Sequence, residues 1–376
     1  MSTESKKIKQ IYRTAVPESL PNEITVVIGE RRTNYEKITW PLPQKDGSVG
    51  QAGLRYGTNP HQRAALYRIK NPLLHFMGNM RILKSGKDGL SATNVEDGYR
   101  ALRLASYFEG PTVVEMKHTN PSGLATSDEH HTKLADVFSD SWTTDPRSAY
   151  GCTLGTNVVV DDETAELMVQ ENEKGVKYYI ECLFAPGYTE KAMELLSRKR
   201  ERRIVQVPKV KLDSDTGFPY ELKILGDTLL LEDSYTTSIK SVDQMKSKLV
   251  VTRRKPTEEE YKQLTYAWFG CAEKRSNGIV IWRRNKALAF AVGQQERVGS
   301  VDLALEKAER YHGDLSDSVL ASDGFMLRDN VQHPIKKGIT AFVQPGGGAS
   351  DEDVVRECDD AGTTMIFTGE RAFRHF

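Results

Sequence analysis

The chain reads Pro111-Thr112-Val113-Val114-Glu115-Met116-Lys117-His118-Thr119-Asn120-Pro121-Ser122-Gly123 where strand-like sequence changes to turn-like sequence. The first residues of this stretch predict a short buried strand, and Asn120-Pro121-Ser122-Gly123 has the composition of a turn that ends it. Adjacent side chains of a strand point to opposite faces, so Lys117 and His118 can reach one ligand only where the chain twists. The predicted turn supplies that twist.

This lysine–histidine pair is a candidate for acid–base chemistry. An unperturbed histidine titrates at about pH 6.5, and burial or a neighbouring cation can shift the pKa of a lysine towards neutrality. The pair is therefore able to act as base and acid at neutral pH. The alternative interpretation is a surface lysine beside a loop histidine.

Helix and strand patterns alternate on both sides of this stretch. Before it, Asn94 and Asp97 open an amphipathic helix, and Gly110-Pro111 ends that helix. After it, the pattern predicts helices at 134–138, 163–173 and 190–200, and strands at 157–160, 177–184 and 203–207. Alternation of this kind is typical of α/β architecture.

A second α/β region follows a break in the pattern. Residues 208–256 are charged and rich in turn residues, and the alternation restarts at residue 257, where Thr257 and Glu260 form a capping box. Beyond it the pattern predicts helices at 257–274, 301–311 and 351–361, and strands at 278–282, 287–292, 340–343 and 364–367. We therefore predict an α/β fold with an N-terminal extension at 1–50, a first lobe at 51–207, a connector at 208–256 and a second lobe at 257–376.

The composition excludes several classes of protein. Over 376 residues, 52 basic and 52 acidic side chains balance to zero, so no global field attracts nucleic acid or an anionic membrane. No run approaches the ~18 apolar residues of a membrane span, and the first residues lack the apolar core of a signal peptide, so we expect a cytoplasmic protein.

Cysteine spacing argues against a metal site. The four cysteines have no zinc-site spacing, so we expect no transition metal and no zinc-dependent cytidine deaminase activity. We expect these residues to be reduced, buried thiols: Cys152, Cys182, Cys271 and Cys358.

Several short stretches are specific in combination and in their order. They are Leu54-Arg55-Tyr56-Gly57-Thr58-Asn59-Pro60-His61-Gln62, Lys117-His118-Thr119-Asn120-Pro121, Asp145-Pro146-Arg147-Ser148-Ala149-Tyr150-Gly151, Ala185-Pro186-Gly187-Tyr188, Arg275-Ser276-Asn277, Gly293-Gln294-Gln295-Glu296-Arg297, Ala321-Ser322-Asp323-Gly324-Phe325, Arg328-Asp329-Asn330, Gln344-Pro345-Gly346-Gly347, Phe367-Thr368-Gly369 and Arg371-Ala372-Phe373-Arg374-His375. Together they resemble the 5-aminoimidazole-4-carboxamide ribonucleotide (AICAR) transformylase domain of the bifunctional purine biosynthesis family that also carries IMP cyclohydrolase.

The resemblance implies two lobes of cytidine-deaminase-like fold and a transferase of one-carbon groups. Such an enzyme moves a formyl group from the co-substrate 10-formyltetrahydrofolate to the 5-amino group of AICAR, giving formyl-AICAR and tetrahydrofolate in purine (IMP) biosynthesis. The resemblance also implies a homodimer with shared active sites. The extension at 1–50 is too short for an IMP cyclohydrolase domain, so we expect a separate protein to supply that activity. Whether a monovalent cation supports the fold is left open.

Catalytic roles follow from the resemblance residue by residue. It implies that His118 is the base and that Lys117 stabilises or protonates the developing charge. It implies that Asn277 hydrogen-bonds the formyl oxygen or the carboxamide; the alternative is a turn-forming asparagine before Gly278.

Substrate-binding residues are implied in the same way. Arginine pairs bidentately with phosphate, and the resemblance points to Arg55 and Arg371, with Tyr56 beside them. Arg200 stands in a basic run, where the alternative is a solvated helix end. The remaining implied contacts to substrate are Tyr150, Gly151, Glu181, Gln295, Arg297, Asp323 and Phe325.

The chain departs from the family pattern in a few places. Glu181 replaces the usual aspartate, and Glu296 stands where the family carries a serine, with Arg297 beside it to neutralise its charge. After Phe325 the chain is one residue shorter than usual, with Met326-Leu327 in place of aromatics and a proline. Two alternative functions therefore stay open. One is the same fold using another formyl donor, formate with ATP, and the other is a non-catalytic AICAR- or nucleotide-binding protein.

Overall fold

The computed structural model describes residues 20–43, 48–70, 77–86, 89–170, 178–209 and 219–375. Contacts among these residues define two compact units, each of which draws on separate parts of the chain. The first unit takes its residues from Met1–Ser106, Met116–Thr119 and Tyr150–Thr216. The second takes its residues from Tyr107–Glu115, Asn120–Ala149 and Gly217–Phe376. The domain ranges expected from the sequence stay a prediction.

The first unit is built on parallel strands. In order they are β9 (Cys152–Thr156), β10 (Ile180–Ala185) and β11 (Arg203–Gln206), with β6 (Arg81–Lys84) antiparallel beside β11. A small antiparallel sheet contains β1 (Glu23–Ile28), β2 (Arg31–Ile38) and β5 (Leu66–Ile69), and a separate pair contains β3 (Trp40–Pro43) and β4 (Val49–Ala52). The helices are α1 (Ala92–Ala105), α4 (Asp162–Val169) and α5 (Glu190–Ser197), with a 3-10 turn at Met77–Asn79.

Helix α1 is fixed at its start by a capping box and along its length by close packing. Ser91 is the N-cap, and its hydroxyl oxygen and the Asn94 side chain satisfy each other's backbone N–H groups. A Cβ at Gly98 would lie 2.5 Å from the ring of Phe184 on β10, so only glycine lets the helix approach the strand this closely. The helix predicted from Asn94 is confirmed, with its start at Ala92, two residues earlier.

The second unit contains a mixed sheet. Its strand order is β14 (Leu249–Val250), β19 (Thr364–Phe367), β18 (Ile339–Gln344), β17 (Ser318–Ser322), β15 (Ile279–Arg283), β16 (Lys286–Ala291), β8 (Asn120–Thr126) and β7 (Thr112–Lys117), of which Met116 and Lys117 belong to the first unit. A separate hairpin is formed by β12 (Tyr220–Leu225) and β13 (Thr228–Asp233). The helices are α2 (Leu134–Trp142), α3 (Pro146–Ala149), α6 (Val242–Lys246), α7 (Glu258–Ala272), α8 (Arg297–His312), α9 (Arg328–Lys336) and α10 (Asp351–Asp360).

Apolar side chains from strands and helices close the core of the second unit. Buried residues of β15, β17 and β18 pack with those of α8 and α10 in one cluster. The capping box predicted at Thr257 and Glu260 is confirmed, because each side chain accepts a hydrogen bond from the other residue's backbone. Mixed sheet and helix in both units confirm the α/β class.

Two predicted elements are wrong. Residues 157–160 do not form a strand, since the strand is β9 immediately before them and only Val160 makes an isolated bridge, to Tyr188. The turn expected at 120–123 is strand β8, and Ser122 is a buried strand residue there. The chain turns earlier, at His118 and Thr119, so that two residues join β7 to β8.

Other differences concern element limits. Helix α9 was not predicted, and the expected connector contains the β12–β13 hairpin, α6 and β14 among its described residues. The helix predicted at 163–173 corresponds to α4, and the end of that prediction, from 171 onward, lies outside the described residues.

Candidate active site

The turn at His118 and Thr119 is the central feature of the first unit. Both residues have positive φ, 53° and 64°, which is the left-handed region that side chains other than glycine seldom adopt. Two such residues in succession are typical of the tight turn that suits the twist of two antiparallel strands. The turn therefore sets Lys117, at the end of β7, directly before a His118 whose backbone is held in an uncommon conformation.

Asp97 of α1 holds this turn in place. Its Oδ1 accepts a hydrogen bond of 2.6 Å from the backbone N–H of Thr119, and the backbone N–H of His118 also donates to its carboxylate. The side chain is buried. Burial raises the pKa of Asp97 to about 6, against the opposing effects of these N–H donors and of the nearby His118 side chain. The carboxylate is therefore charged at neutral pH and faces the backbone of the candidate base.

Lys117 is oriented by a backbone carbonyl. Its Nζ donates a 2.6 Å hydrogen bond to the carbonyl oxygen of Tyr150. The next residue, Gly151, has a φ of 79°, and its N–H donates to the carbonyl oxygen of Tyr179 at 2.6 Å. A Cβ at Gly151 would lie 3.9 Å from Lys117 Nζ, so this glycine borders the amine.

An aromatic pair stands next to the lysine. The rings of Tyr150 and Tyr179 lie 5.0 Å apart, and 52% of Tyr150 is exposed. The ammonium of Lys199 lies 4.7 Å from the centre of the Tyr179 ring, within cation–π range. Tyr150 and Gly151 were predicted from the sequence as substrate contacts, whereas Tyr179 and Lys199 were not. The available signal was the basic run that contains Lys199.

Arg200 is exposed to solvent, whereas Glu181 is paired with an arginine. Arg200 is exposed in the turn after α5, and its backbone carbonyl accepts a hydrogen bond from Lys84 Nζ at 3.0 Å. Glu181 pairs with Arg203 at 2.7 Å, and Arg203 is itself buried. The glutamate that replaces the usual aspartate is thus tied to an arginine that the sequence reasoning did not name.

Arg55 is packed on its neighbour. Its guanidinium carbon lies 4.4 Å from the centre of the Tyr56 ring, and Nη2 donates to the Tyr56 hydroxyl at 2.6 Å. The backbone N–H of Arg55 donates to the carbonyl of Leu90, just before the N-cap of α1. The arginine and tyrosine named together from the sequence therefore form one local unit.

In the second unit, Asn277, Arg297 and Asp323 form a hydrogen-bonded cluster. Arg297 Nη2 donates to Asn277 Oδ1 at 2.6 Å, and Arg297 Nη1 pairs with Asp323 Oδ1. Asn277 Nδ2 donates to the carbonyl of Gln294 at 2.9 Å. An amide nitrogen carries two hydrogens, so the second hydrogen on Nδ2 is the part of Asn277 best suited to a substrate oxygen.

Asp323 is buried rather than presented to solvent. No part of its side chain is exposed, and Oδ2 accepts a 2.6 Å hydrogen bond from the Ser276 hydroxyl. Arg297 pairs with this carboxylate, whereas Glu296 caps the start of α8 by accepting from the backbone N–H of Gly299. Asp323 thus orients Arg297, and Arg297 in turn orients Asn277.

Arg371 and Phe325 lie in the same unit. The guanidinium carbon of Arg371 is 4.5 Å from the centre of the Phe373 ring, and that of Arg297 is 5.6 Å from the same ring. Gly324 makes room for this contact, because a Cβ there would lie 2.6 Å from Phe373. Phe325 is exposed, as is Gln295.

Met326 and Leu327, which differ from the family pattern, make defined contacts in the second unit. Met326 is fully buried in the core of the second unit, and its N–H donates to the side chain of Gln344. Leu327 precedes α9, and its N–H donates to Asn330 Oδ1 at 2.8 Å. The residues that replace the usual aromatics thus anchor one end of the exposed Phe325.

The described part of the chain contains no group of three or more His, Cys, Asp or Glu side chains placed to hold a metal ion. None of its helices is both long and apolar enough to cross a membrane. The four cysteines are buried free thiols, as expected.

Comparison with known proteins identifies the family. The model of the AICARFT/IMPCHase bienzyme family matches residues 23–307. The bifunctional purine biosynthesis protein PurH of Anoxybacillus flavithermus is 33% identical over 353 residues, which are 93% of this chain and 64% of that protein. The protein of the same name from Lactococcus lactis subsp. cremoris is 34% identical over 366 residues, 97% of this chain and 65% of that protein.

The match covers nearly all of this chain but less of its relatives. The chain spans just under two thirds of the length of these two proteins. A third relative, PurH of Streptococcus thermophilus, is 34% identical over 99% of this chain and 68% of its own length. With a family model over more than half of its residues and relatives above 30% identity, the chain belongs to the AICARFT/IMPCHase bienzyme family.

Proposed function

We propose that this protein transfers a formyl group from 10-formyltetrahydrofolate to the 5-amino group of AICAR. The products are formyl-AICAR and tetrahydrofolate, in purine biosynthesis. The observation that carries the proposal is the turn in which Asp97 holds His118 directly after Lys117, in a chain of this family. We further propose a cytoplasmic homodimer, with AICAR and folate as its small-molecule substrates.

The chemistry requires a base at the turn. The 5-amino group of AICAR is a poor nucleophile, because its lone pair is delocalised into the imidazole and the carboxamide. Removal of its proton as the C–N bond forms lowers the barrier, and His118 is the proposed base. Lys117, held by the carbonyl of Tyr150, is the proposed donor to the charge that develops on the formyl oxygen or the folate nitrogen.

Recognition of the substrates is assigned to residues in each unit. In the first unit, Arg55 on Tyr56 is proposed to bind phosphate, and the Tyr150–Tyr179 pair offers a flat surface for a planar ring. In the second unit, Arg371 is a proposed phosphate ligand, and Asn277 is proposed to donate from Nδ2. Arginine suits this task because its planar fork matches phosphate oxygens.

The proposal is tested by steady-state turnover with AICAR and 10-formyltetrahydrofolate. His118→Ala should lower kcat by roughly 10²- to 10⁴-fold, the usual worth of a general base. AICAR binding, measured by calorimetry, should persist. His333→Ala is the matched control, because this exposed histidine of α9 pairs with Asp302 on the surface.

Other outcomes separate the alternatives. Turnover that appears only with formate and ATP would assign a different donor. AICAR binding without turnover under either condition would indicate a binding protein. Equal turnover in His118→Ala and His333→Ala would contradict the role of His118.

A further inference from the structure

Glu370 directly precedes Arg371, the proposed phosphate ligand, and both oxygens of its carboxylate accept hydrogen bonds. Oε1 accepts from the Tyr235 hydroxyl at 3.2 Å and from the Thr237 hydroxyl. Oε2 accepts from the backbone N–H of Ser238 at 2.9 Å and from the hydroxyl of the same serine. One carboxylate therefore binds the short segment that follows β13.

The donors to Glu370 are themselves fixed from the core of the second unit. Trp268 on α7 is completely buried, and its indole N–H donates to the Thr237 hydroxyl oxygen at 2.9 Å. Because that oxygen accepts from the indole, the hydroxyl hydrogen of Thr237 is directed to Glu370. A chain of hydrogen bonds thus leads from a buried helix to the residue before Arg371.

A second anchor lies on the other side of Arg371. Arg374 is buried, and its guanidinium pairs with the buried carboxylate of Glu273 at 3.2 Å. Its Nη2 also donates to the backbone carbonyl of Tyr235 at 3.1 Å. Arg374 and Glu370 therefore contact the same segment after β13 and hold the three residues between them.

Arg371 is presented to solvent between these two anchors. Its side chain is exposed, and among the residues that the structure describes it makes no hydrogen bond or ion pair, only the contact with the Phe373 ring. The backbone N–H of Ala372 donates to the carbonyl of Asp323 at 3.0 Å. The position of the guanidinium therefore depends on how firmly the backbone beneath it is held.

We propose that Glu370 is a positioning residue for phosphate recognition: by binding residues 235–238 it fixes the backbone from which Arg371 reaches the phosphate of AICAR. The inference rests on the proposed function, which supplies the phosphorylated substrate. Glu370 is more informative to change than Arg374, because it is only partly buried. Removal of Arg374 would take an ion-pair partner from the buried Glu273 and destabilise the unit.

Calorimetric binding of AICAR tests the proposal. Glu370→Gln keeps the shape of the side chain, but its amide NH₂ cannot accept from the N–H and O–H donors that surround it. The Kd for AICAR should rise about tenfold, and KM should rise with it while kcat changes far less. The Kd for 10-formyltetrahydrofolate should not change. Glu352→Gln, an exposed residue of α10, is the matched control.

A double-mutant cycle with Arg371 separates positioning from a general loosening of the unit. Arg371→Ala should raise the Kd for AICAR by about 10- to 100-fold, as expected for the loss of hydrogen bonds to a charged group. With alanine at 371 no guanidinium remains to be positioned, so Glu370→Gln should add less than about a further twofold. If Glu370→Gln does not fold, Ser238→Ala removes two hydrogen bonds' shared donor residue's hydroxyl and carries the same test.

Two results would overturn the proposal: an unchanged Kd in Glu370→Gln, or equal rises in Kd with arginine and with alanine at 371. The binding measurements do not depend on formyl transfer. Coupled loss of AICAR binding in a protein without turnover would therefore count against formyl transfer alone. A wild-type protein that does not bind AICAR would contradict both the proposed function and the role of Glu370.

Discussion

At the level of single residues, buried carboxylates shape the two units. Asp97 lies in the first unit and binds the backbone of the turn that carries His118. Glu115 lies in the second unit, where its Oε1 accepts from Ser141 at 2.6 Å and its Oε2 is buried with no hydrogen-bond partner among the described residues. From the sequence, Asp97 is predicted only to open a helix, because a partner 22 positions away is not visible in a local pattern.

Asp97→Asn should raise the stability of the protein and lower its activity. Burial raises the folded-state pKa of Asp97 from 3.8 to about 6, so the folded protein binds this proton more tightly than the unfolded chain. Stability therefore falls as the pH rises from about 4 to about 6, and the loss persists at neutral pH. Asparagine keeps an oxygen acceptor without the charge, so the free energy of unfolding at neutral pH should rise by on the order of 2 kcal/mol.

The activity of the same variant should fall. Loss of the anion that binds the backbone of the turn should lower kcat by about tenfold with little change in KM, since the base is displaced while the binding surfaces remain. Denaturant unfolding and turnover of one preparation measure both effects. Glu96→Gln, an exposed neighbour on α1, is the control. A destabilised Asp97→Asn with unchanged kcat would contradict this account.

Glu115→Gln should flatten the pH dependence of stability. Complete burial raises the pKa of Glu115 from 4.5 to about 8, against the hydrogen bond from Ser141. The folded state thus holds the proton, and stability should decline as the pH rises from about 5 to about 8. Glutamine cannot ionise, so the decline should be smaller in the variant. Midpoints of denaturant unfolding across this pH range measure the decline in stability. Parallel curves of midpoint against pH for the variant and the wild type would contradict the prediction.

At the level of elements, most helices and strands follow from periodicity, but the hairpin of β7 and β8 does not. Asn120-Pro121-Ser122-Gly123 has turn composition, yet the turn is made by His118 and Thr119, which have no such signal. Gly123 serves packing instead, because a Cβ there would lie 1.7 Å from Glu115 Oε2. Tertiary contacts override the local preference here.

Gly98→Ala should destabilise the protein although alanine favours helices. The helix gains about 1 kcal/mol in propensity, but the new methyl group would lie 2.5 Å from the Phe184 ring. Overpacking of this kind costs about 1–3 kcal/mol, so the net free energy of unfolding should fall. Glu96→Ala on the exposed face of α1 is the control and should be near neutral. Chemical denaturation measures both, and an increase in stability for Gly98→Ala would show that the helix can move away.

At the level of the whole molecule, short motifs predicted the family and the α/β class, which residues 23–307 and the relatives confirm. The partnership of Arg297 with Asp323 and Asn277 could not be predicted, because those residues are far apart in sequence and meet only in the folded unit. Lys274 and Asp323 are likewise far apart in sequence, and in the folded unit both border Gly278. Motifs indicate which residues matter, and packing decides which of them meet in the folded unit.

The central claim is most directly tested by following the transferred carbon. Purified protein is mixed with AICAR and 10-formyltetrahydrofolate labelled with ¹³C in the formyl group, and the products are analysed by mass spectrometry. We predict labelled formyl-AICAR and tetrahydrofolate in equal amounts, with both formed roughly 10²- to 10⁴-fold more slowly by His118→Ala. Recovery of unlabelled AICAR, with the label still on the folate or released as formate, would contradict the proposed function.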